Sequence, residues 1–513
     1  MKVLPAAEIL VQDDVDERGR QIISAMTVNQ SFWTWLTEDY QRNSILFRYY
    51  MGAQDFGESH EGGQQIVANF CNYIPKAIRG YMFGNPPKYS CKEDDHYGEE
   101  ILDLFRRQNK WLIDSQLGLD MSIFGRAYEL VFMPKGKDEP DSVVVPPMDA
   151  FVTYAGDMEK DSVFGCVRYA HKDDKGVWIF DLYLYTRTDF MHWQSRTRAG
   201  TPYPEGIDPD HKPEFELIEG PVPHGFGRVP LIEYRNNKER QGDFEPIMDL
   251  QDAYNSLLSD RQDDKDAFAS AMLIVQGMII GEDESEIKAG TKSMKRTHVV
   301  QIAEDAKMEF LTKVLQEADV QVLQDQYATL IHKFAMVPDL SDESFAGNSS
   351  GVAMAYKMFG TDQIVAEKIG QFKQGFMRRC KLYDYRLNNP LMKEDYKPLA
   401  DIGGMRIDFA PNVPQDLPSM TQSVTQLTAS GILSKQTARQ NISIIEDPEK
   451  EAELVAEEQD EERKRTQSYF EDTFGGMGDS QDQDDDMSPL NAKQRPAEDG
   501  EDGGDRQAEQ GAE

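Results

Sequence analysis

Cysteine is scarce in this chain: four residues, Cys71, Cys91, Cys166 and Cys380, are scattered over 513 positions. No two have the spacing of a zinc site or a disulfide framework, so the thiols are read as reduced packing residues. Long apolar runs are missing as well. None approaches the roughly 20 residues a helix needs to cross a bilayer. The amino terminus passes from Leu10 to Asp13, Asp14 and Asp16 without the apolar core of a signal peptide, so cytosolic assembly without membrane contact is expected. The eight histidines stand singly, with no H-E-x-x-H pair, and no G-x-x-x-x-G-K-[ST] phosphate loop occurs. Neither a metal, a cofactor nor nucleotide hydrolysis is signalled. Cations are short too: 55 Lys and Arg against 91 Asp and Glu leave a net charge of −36, which argues against tight nucleic-acid binding.

That charge is unevenly placed. Residues 446 to 513 hold 24 acidic and 7 basic side chains, a net of −17, and the other 445 residues carry −19. After Phe474 there is no aromatic residue. Such a composition cannot offset chain entropy by burial, so disorder is expected there, serving either as a solubilising tail or as a docking segment.

What is present is concentrated between Asp243 and Leu387. Phe244, Ile247, Leu250, Tyr254, Leu257 and Leu258 fall on one face of a helix. Beyond Ser259 the run Asp260, Arg261, Gln262, Asp263, Asp264, Lys265, Asp266 has no apolar side, and that half is expected to face water. From Leu273 to Leu311 the pattern changes to short β-like runs, 273 to 275, 278 to 280 and 298 to 302, broken by Gly277, Gly281 and Gly290. A second helix is read from Leu311, Val314, Leu315, Ala318, Val322, Tyr327, Leu330, Ile331 and Phe334, stopping before Pro338. The turn-rich stretch from Pro338 to Gly351 follows, and then a helix from Val352 to Leu387 with Val365, Ile369, Phe372, Phe376, Cys380, Tyr383 and Leu387 as its apolar face.

The amino-terminal half reads as α+β. Helix is expected from Phe32 to Cys71, running out in Ala68 to Lys76 ahead of Tyr81, with a firm turn at Gly84-Asn85-Pro86-Pro87 and helical spacing again from Glu99 to Phe124. Strands are expected at Ala127 to Met133, Val143 to Val145, Val163 to Tyr169, Val177 to Tyr185 and Val229 to Tyr234. Shorter helices are read at Met420 to Leu427 and Lys435 to Ile442.

Four segments carry a family likeness by their order and spacing. They are Tyr49-Tyr50-Met51-Gly52; Asn69 to Lys76 leading to Tyr81-Met82-Phe83-Gly84-Asn85-Pro86; Leu250-Gln251-Asp252-Ala253-Tyr254-Asn255 with Ser259-Asp260; and Gly347-Asn348-Ser349-Ser350-Gly351-Val352-Ala353. Together they resemble the portal proteins of tailed double-stranded DNA bacteriophages, in the branch typical of long-tailed phages of Gram-positive bacteria, over roughly residues 30 to 470. The resemblance implies a dodecameric ring at one vertex of the capsid, built of wing, stem, clip, tunnel loop and crown around an axial DNA channel. On that plan 1–30 is an N-terminal arm, 31–243 the α+β wing, 244–272 and 312–336 the stem helices, and 273–311 the β-rich clip. The tunnel loop is 337–351, the long wing helix 352–388, the wing return 389–415, the crown 416–470, and the acidic tail 471–513.

The implied role is structural. Such a ring nucleates head assembly with major capsid and scaffolding proteins, docks the terminase motor, later binds head-completion or connector proteins, and conducts double-stranded DNA in packaging and ejection. An acidic conduit suits passage, because it repels the DNA backbone where a cationic lining would hold it.

Each candidate site has two readings. Lys288, Lys292, Lys295 and Arg296 form either a clip docking surface or a solvated edge that resists aggregation. Asn348, Ser349 and Ser350 either touch DNA at the tunnel loop or cap the long helix. Asp260, Asp263, Asp264 and Asp266 either line the channel or are ordinary surface. Gly347-Asn348-Ser349-Ser350-Gly351 matches the G-x-S-x-G nucleophile elbow, but a polar loop precedes it and the last histidine, His332, lies before it, so a hydrolase is rejected. Asp14 to Gly19 opens like a calcium loop but has Arg18 at position five and Ala25 at position twelve. The remaining rival is a virion or scaffold ring protein that does not conduct DNA.

Overall fold

In the computed structural model the described residues are 6, 8–17, 20–54, 64–92, 95–197, 214–269, 272–276, 283, 288, 292, 307–311, 317–339, 351–388, 402–412, 417–442 and 448–474. Regular structure begins with β1 (Ile9–Val11) and α1 (Ala25–Thr34), whose first turn is capped by the Ser24 hydroxyl accepting from the Thr27 amide. A π-helical stretch, Trp35–Tyr40, follows directly and leads into α2 (Gln41–Met51). Its wider turn puts Trp35, Leu36, Asp39 and Tyr40 all in buried positions.

The chain leaves α2 where Gly52 takes the left-handed conformation at φ 72°, which costs glycine nothing. The continuous helix expected from Phe32 to Cys71 therefore ends at Met51, and residues 64–69 are not helical. A new helix, α3 (Phe70–Phe83), starts under an Asn69 cap on the Asn72 amide. Pro75 lies inside it and removes one amide bond, and the helix carries on through the Tyr81-Met82-Phe83 segment expected to follow it.

After β2 (Lys88–Ser90) come α4 (His96–Arg107) and α5 (Lys110–Phe124). The expected stretch from Glu99 to Phe124 is thus two helices, parted at Asn109 with φ 51°. Next come β3 (Arg126–Phe132), β4 (Asp141–Val145), β5 (Ala150–Ala155), β6 (Ser162–Lys172), β7 (Trp178–Tyr185), β8 (Asp189–Thr197), β9 (Glu216–Pro223) and β10 (Leu231–Arg235). All five expected strands of this half are present, and β1, β2, β5, β8 and β9 are additions to them.

A 3-10 turn, Glu245–Ile247, opens α6 (Met248–Ala269). Beyond it lie β11 (Met272–Gln276) and β12 (Lys307–Leu311), α7 (Glu317–Ala335), α8 (Gly351–Leu387) and β13 (Arg406–Asp408). Leu311, read from its spacing as part of the second helix, instead ends β12 and pairs with Met272. The expected runs 278 to 280 and 298 to 302 lie outside the described residues.

One sheet has six strands in the order β1-β5-β6-β7-β8-β9, with β1 parallel to β5 and the rest antiparallel. A second has the order β10-β3-β4, and two strand pairs, β11-β12 and β13-β2, complete the set among the described residues. Phe32, Trp35 and Leu36 pack on Phe151, Phe164, Phe180 and Leu182 to form the core beneath the large sheet. The main core gathers α3, α4, α5, α6 and the second half of α8 around Phe105, Phe244, Phe372, Phe376 and Tyr383. There α8 passes so close to β10 that a Cβ on Gly375 would meet the Tyr234 ring at 2.3 Å.

The chain divides into two compact units, Met1–Pro414 and Gln415–Glu513. The second holds α9 (Leu417–Ala429), α10 (Lys435–Asn441) and α11 (Pro448–Phe474). The last of these runs past the expected start of the tail at 471. Among its described side chains Ala438 is the one buried apolar residue, while Leu427, Ile432 and Leu454 are exposed.

Candidate functional site

The helix-strand-strand-helix unit of residues 248–335 is assembled from short-range and long-range polar contacts. Arg261 Nη1 on α6 donates to Gln321 Oε1 at 3.0 Å and Gln324 Oε1 at 2.8 Å on α7, and Gln324 Nε2 donates to the Tyr254 hydroxyl at 3.3 Å. The two helices are therefore neighbours, as their flanking of the β pair predicts. Phe70, at the start of α3, stands edge-on to Tyr254 of α6 and to His332 of α7, tying the pair to the first unit's core.

A ladder of side chains fixes α6 more firmly. The amides of Gln64, Ile66, Ala68 and Phe70 donate to Asp263 Oδ1, Ser259 Oγ, Asn255 Oδ1 and Gln251 Oε1, at 3.2, 3.0, 3.0 and 3.0 Å. Alternate residues of the strap thus meet every fourth residue of the helix, running antiparallel to it. Gln251 Nε2 closes the lower end by donating to the Ala68 carbonyl at 2.6 Å and to Asn255 Oδ1 at 2.9 Å. Gln251, Asn255 and Ser259 are fully buried. The Gln251, Asn255 and Ser259 of the third likeness segment are accounted for by this ladder, whereas Asn69 of the second caps α3 through the Asn72 amide and donates to the Tyr50 carbonyl at 3.0 Å. Nearby Tyr49 donates to Asp252 Oδ2 at 2.6 Å, and burial first, then that carboxylate, pushes the Tyr49 phenol up.

The chain just ahead of α6 is gripped by buried charge. Lys368 Nζ on α8 donates to Asp243 Oδ2 at 2.6 Å, and Asn236 Nδ2 donates to Asp243 Oδ1 at 2.7 Å. Arg42 on α2 pairs with Glu245 and donates to the Phe124 and Arg240 carbonyls at 2.9 and 3.0 Å. Burial pulls the Lys368 ammonium down and pushes the Glu245 carboxyl up, against the opposing pull of their partners.

Farther along α8, Arg379 is wholly buried, with Nε on Glu129 Oε2 at 2.9 Å and Nη2 on Asp114 Oδ1 at 2.6 Å. Tyr234 donates to Glu129 at 2.7 Å and Tyr89 to Asp114 at 2.5 Å. Burial raises the Asp114 carboxyl in spite of Arg379. For Glu129 burial pulls the same way, but Arg379 and Lys110 win and hold it below the ordinary range.

The candidate residues fare unequally. Asp260 and Asp266 are exposed and Asp263 and Asp264 half-buried on α6. Asp263 is committed to the strap through the Gln64 amide, and Asp266 accepts from Gln262 Nε2 at 3.1 Å. Lys288 and Lys292 are exposed, whereas Lys295, Arg296, Asn348, Ser349 and Ser350 lie outside the described residues. Among the described residues no group of three His, Cys, Asp or Glu is placed to hold a metal ion, and no helix is long and apolar enough to cross a membrane.

The buried residues Arg379, Lys368, Gln251 and Asn255 escape a reading for charged or catalytic clusters. Their signal is a polar residue standing on an apolar stripe: Lys368 sits between Val365 and Phe372, and Arg379 between Phe376 and Tyr383, at helical spacing.

The family described as "Phage portal protein, SPP1 Gp6-like" matches residues 30–465. The chain belongs to this phage portal family. It is 24% identical over 344 residues to the portal protein of Bacillus phage SPP1, a stretch that covers 66% of this chain and 65% of that protein, just under two thirds of its length. Two solved structures show a weak similarity to the chain. One, "Neck of native GTA particle computed with C12 symmetry", has 12% identity and a TM-score of 0.43 over 78% of this chain and 93% of the other. The other, "Neck of empty GTA particle computed with C6 symmetry", has 11% identity and a TM-score of 0.42 over 77% and 92%.

Proposed function

We propose that copies of this chain assemble, as a dodecamer, into the ring at one capsid vertex through which double-stranded DNA is packaged and ejected. The α6–α7 pair forms the stem, the β11–β12 insert the clip, residues 337–351 the tunnel loop, and α9 with α10 part of the crown. The clip, with Lys288, Lys292, Lys295 and Arg296, meets first the terminase motor and later the head-completion proteins, and the rest of the ring meets capsid and scaffolding proteins. The chain performs no chemistry of its own. The observation that carries this reading is the family match across residues 30–465. The side-by-side helix pair with a β pair between its ends supports it.

The stem aspartates divide under this reading. Asp260, Asp264 and Asp266 present charge to the channel, whereas Asp263 braces the strap. Replacing the first three together with Lys is expected to slow or stall packaging in a motor assay at low salt. Unchanged rates would remove their channel role. The ring itself is tested by negative-stain imaging with a mass measurement: about twelve subunits around an axial hole is the expected outcome. A ring whose hole cannot pass a duplex would favour a structural ring that does not conduct DNA.

A further inference from the structure

The first turns of α8 carry opposite kinds of surface on opposite sides. On one side Met354, Met358 and Thr361, with Ala77 and Gly80 of α3 and Val337 after α7, wall an apolar groove of about 500 Å³. On the other, Tyr356 and Phe359 are 79% and 59% exposed. At 3.6 residues per turn the two sets lie about 160° apart around the helix axis. Phe334 and Met336, at the end of α7, are also exposed, and Met336 lies against Gly360. Exposed aromatics grouped in this way mark an interaction surface.

A ridge and a groove on opposite sides of one helix do not lie in one patch, so a single twofold interface, in which one patch meets its own copy, cannot cover both. Head-to-tail association covers both, and it closes into a ring when the rotation allows. The charges agree with that pairing. Lys76 lines the groove, and Glu367 is exposed on the same side of α8 as Tyr356, three turns along. Neither has an ion-pair partner among the described residues.

We infer that the Tyr356–Phe359 ridge of one copy seats in the groove walled by Met354, Met358 and Gly80 of the next, with Lys76 at the groove facing the incoming Glu367. This rests on the ring reading above and names the surface that makes the ring. An aromatic side chain buries roughly 150–250 Å², so two of them per contact supply the apolar centre of an interface, and the Lys–Glu pair sets its register.

The test is sedimentation velocity and native mass measurement on the full chain and its variants, with melting curves to confirm folding. Tyr356→Ser/Phe359→Ser removes the ridge. Gly80→Trp fills the groove, and a Cβ at Gly80 meets nothing within 4 Å, so α3 accepts it. Each variant is expected to lose rings and need at least tenfold more protein to assemble. An equimolar mixture of the two is expected to stop at dimers, because one chain still offers a groove and the other a ridge. Lys76→Glu and Glu367→Lys are each expected to weaken assembly and, combined in one chain, to restore it.

Rings that persist in both the ridge and the groove variants overturn the inference. Failure of the charge swap to recover assembly overturns the register. A wild type that stays monomeric at high concentration overturns the ring reading itself, an outcome separable from the other two.

Discussion

The two halves of α8 belong to one helix and live in different surroundings. From Val365 onward the helix buries Val365, Phe372, Phe376, Cys380 and Tyr383, and the two cations on that stripe, Lys368 and Arg379, meet carboxylates from β3, α5 and the segment before α6. Before Val365 the same helix shows Tyr356 and Phe359 to solvent. One half is completed within the chain, and its charges are tolerable because each is paired and hydrogen-bonded. The other half has apolar surface that a single copy leaves uncovered. On the inference drawn above, stability and assembly fall to different stretches of one element, and substitutions can separate them.

The largest effect is expected at Arg379. Arg379→Ala leaves Asp114 and Glu129 buried without their cation, a loss of about 3–5 kcal/mol in urea unfolding. Its pH dependence identifies the cause. Without the guanidinium the Asp114 carboxyl, already raised by burial, rises further and Glu129 loses the largest of the pulls that hold it down, and a carboxyl shifted upward in this way costs stability above its unfolded pKa. The deficit should then be greatest at pH 7 to 8 and shrink toward about pH 4 as the groups take up protons. A deficit independent of pH would mean that lost packing, not lost charge, is responsible.

A smaller effect is expected at the strap. Gln251→Ala takes the buried side-chain partner from the Phe70 amide and the Ala68 carbonyl, leaving them the 3.0 Å bond they make to each other, at a cost of about 1–3 kcal/mol. Amide exchange at Ile66, Ala68 and Phe70 should quicken while the Arg379 region keeps its protection. Exchange that rises equally everywhere would mean that the strap is not a separable brace.

The smallest is expected on the exposed half of α8. Phe359→Ser should leave the unfolding free energy of a dissociated chain within about 0.5 kcal/mol of wild type, as for other surface changes. A drop comparable to that of Gln251→Ala would erase the contrast between the two halves.

Much of this was legible in the sequence, and for physical reasons. The long helix was readable almost to the residue because its apolar stripe repeats over 23 positions from Val365 to Leu387. The α6 and α7 helices and the five amino-terminal strands were readable from the same kind of periodicity. Asn69 and Gly52 hid the break between α2 and α3, since apolar residues on both sides keep a helical spacing while a cap and a left-handed glycine do the dividing. Leu311 was ambiguous because one apolar residue fits either a strand end or a helix start. Residues such as Gln251 and Asn255 looked like ordinary polar positions, because their partners are backbone amides 181 and 187 residues away in the chain.

The strap ladder sets its own length. Two residues of extended chain advance about 6.5 Å and four residues of helix about 6 Å. The two scales slide past one another by about half an ångström per rung. Four rungs accumulate a mismatch that side chains of different reach can absorb: Ser259 is short in the middle, and Gln251 is long at one end. The arrangement works as a vernier. Adding or deleting a single residue between Gln64 and Phe70 would put the alternate amides out of step with the helix, so this segment is far less tolerant of a change in length than of a change in side chain.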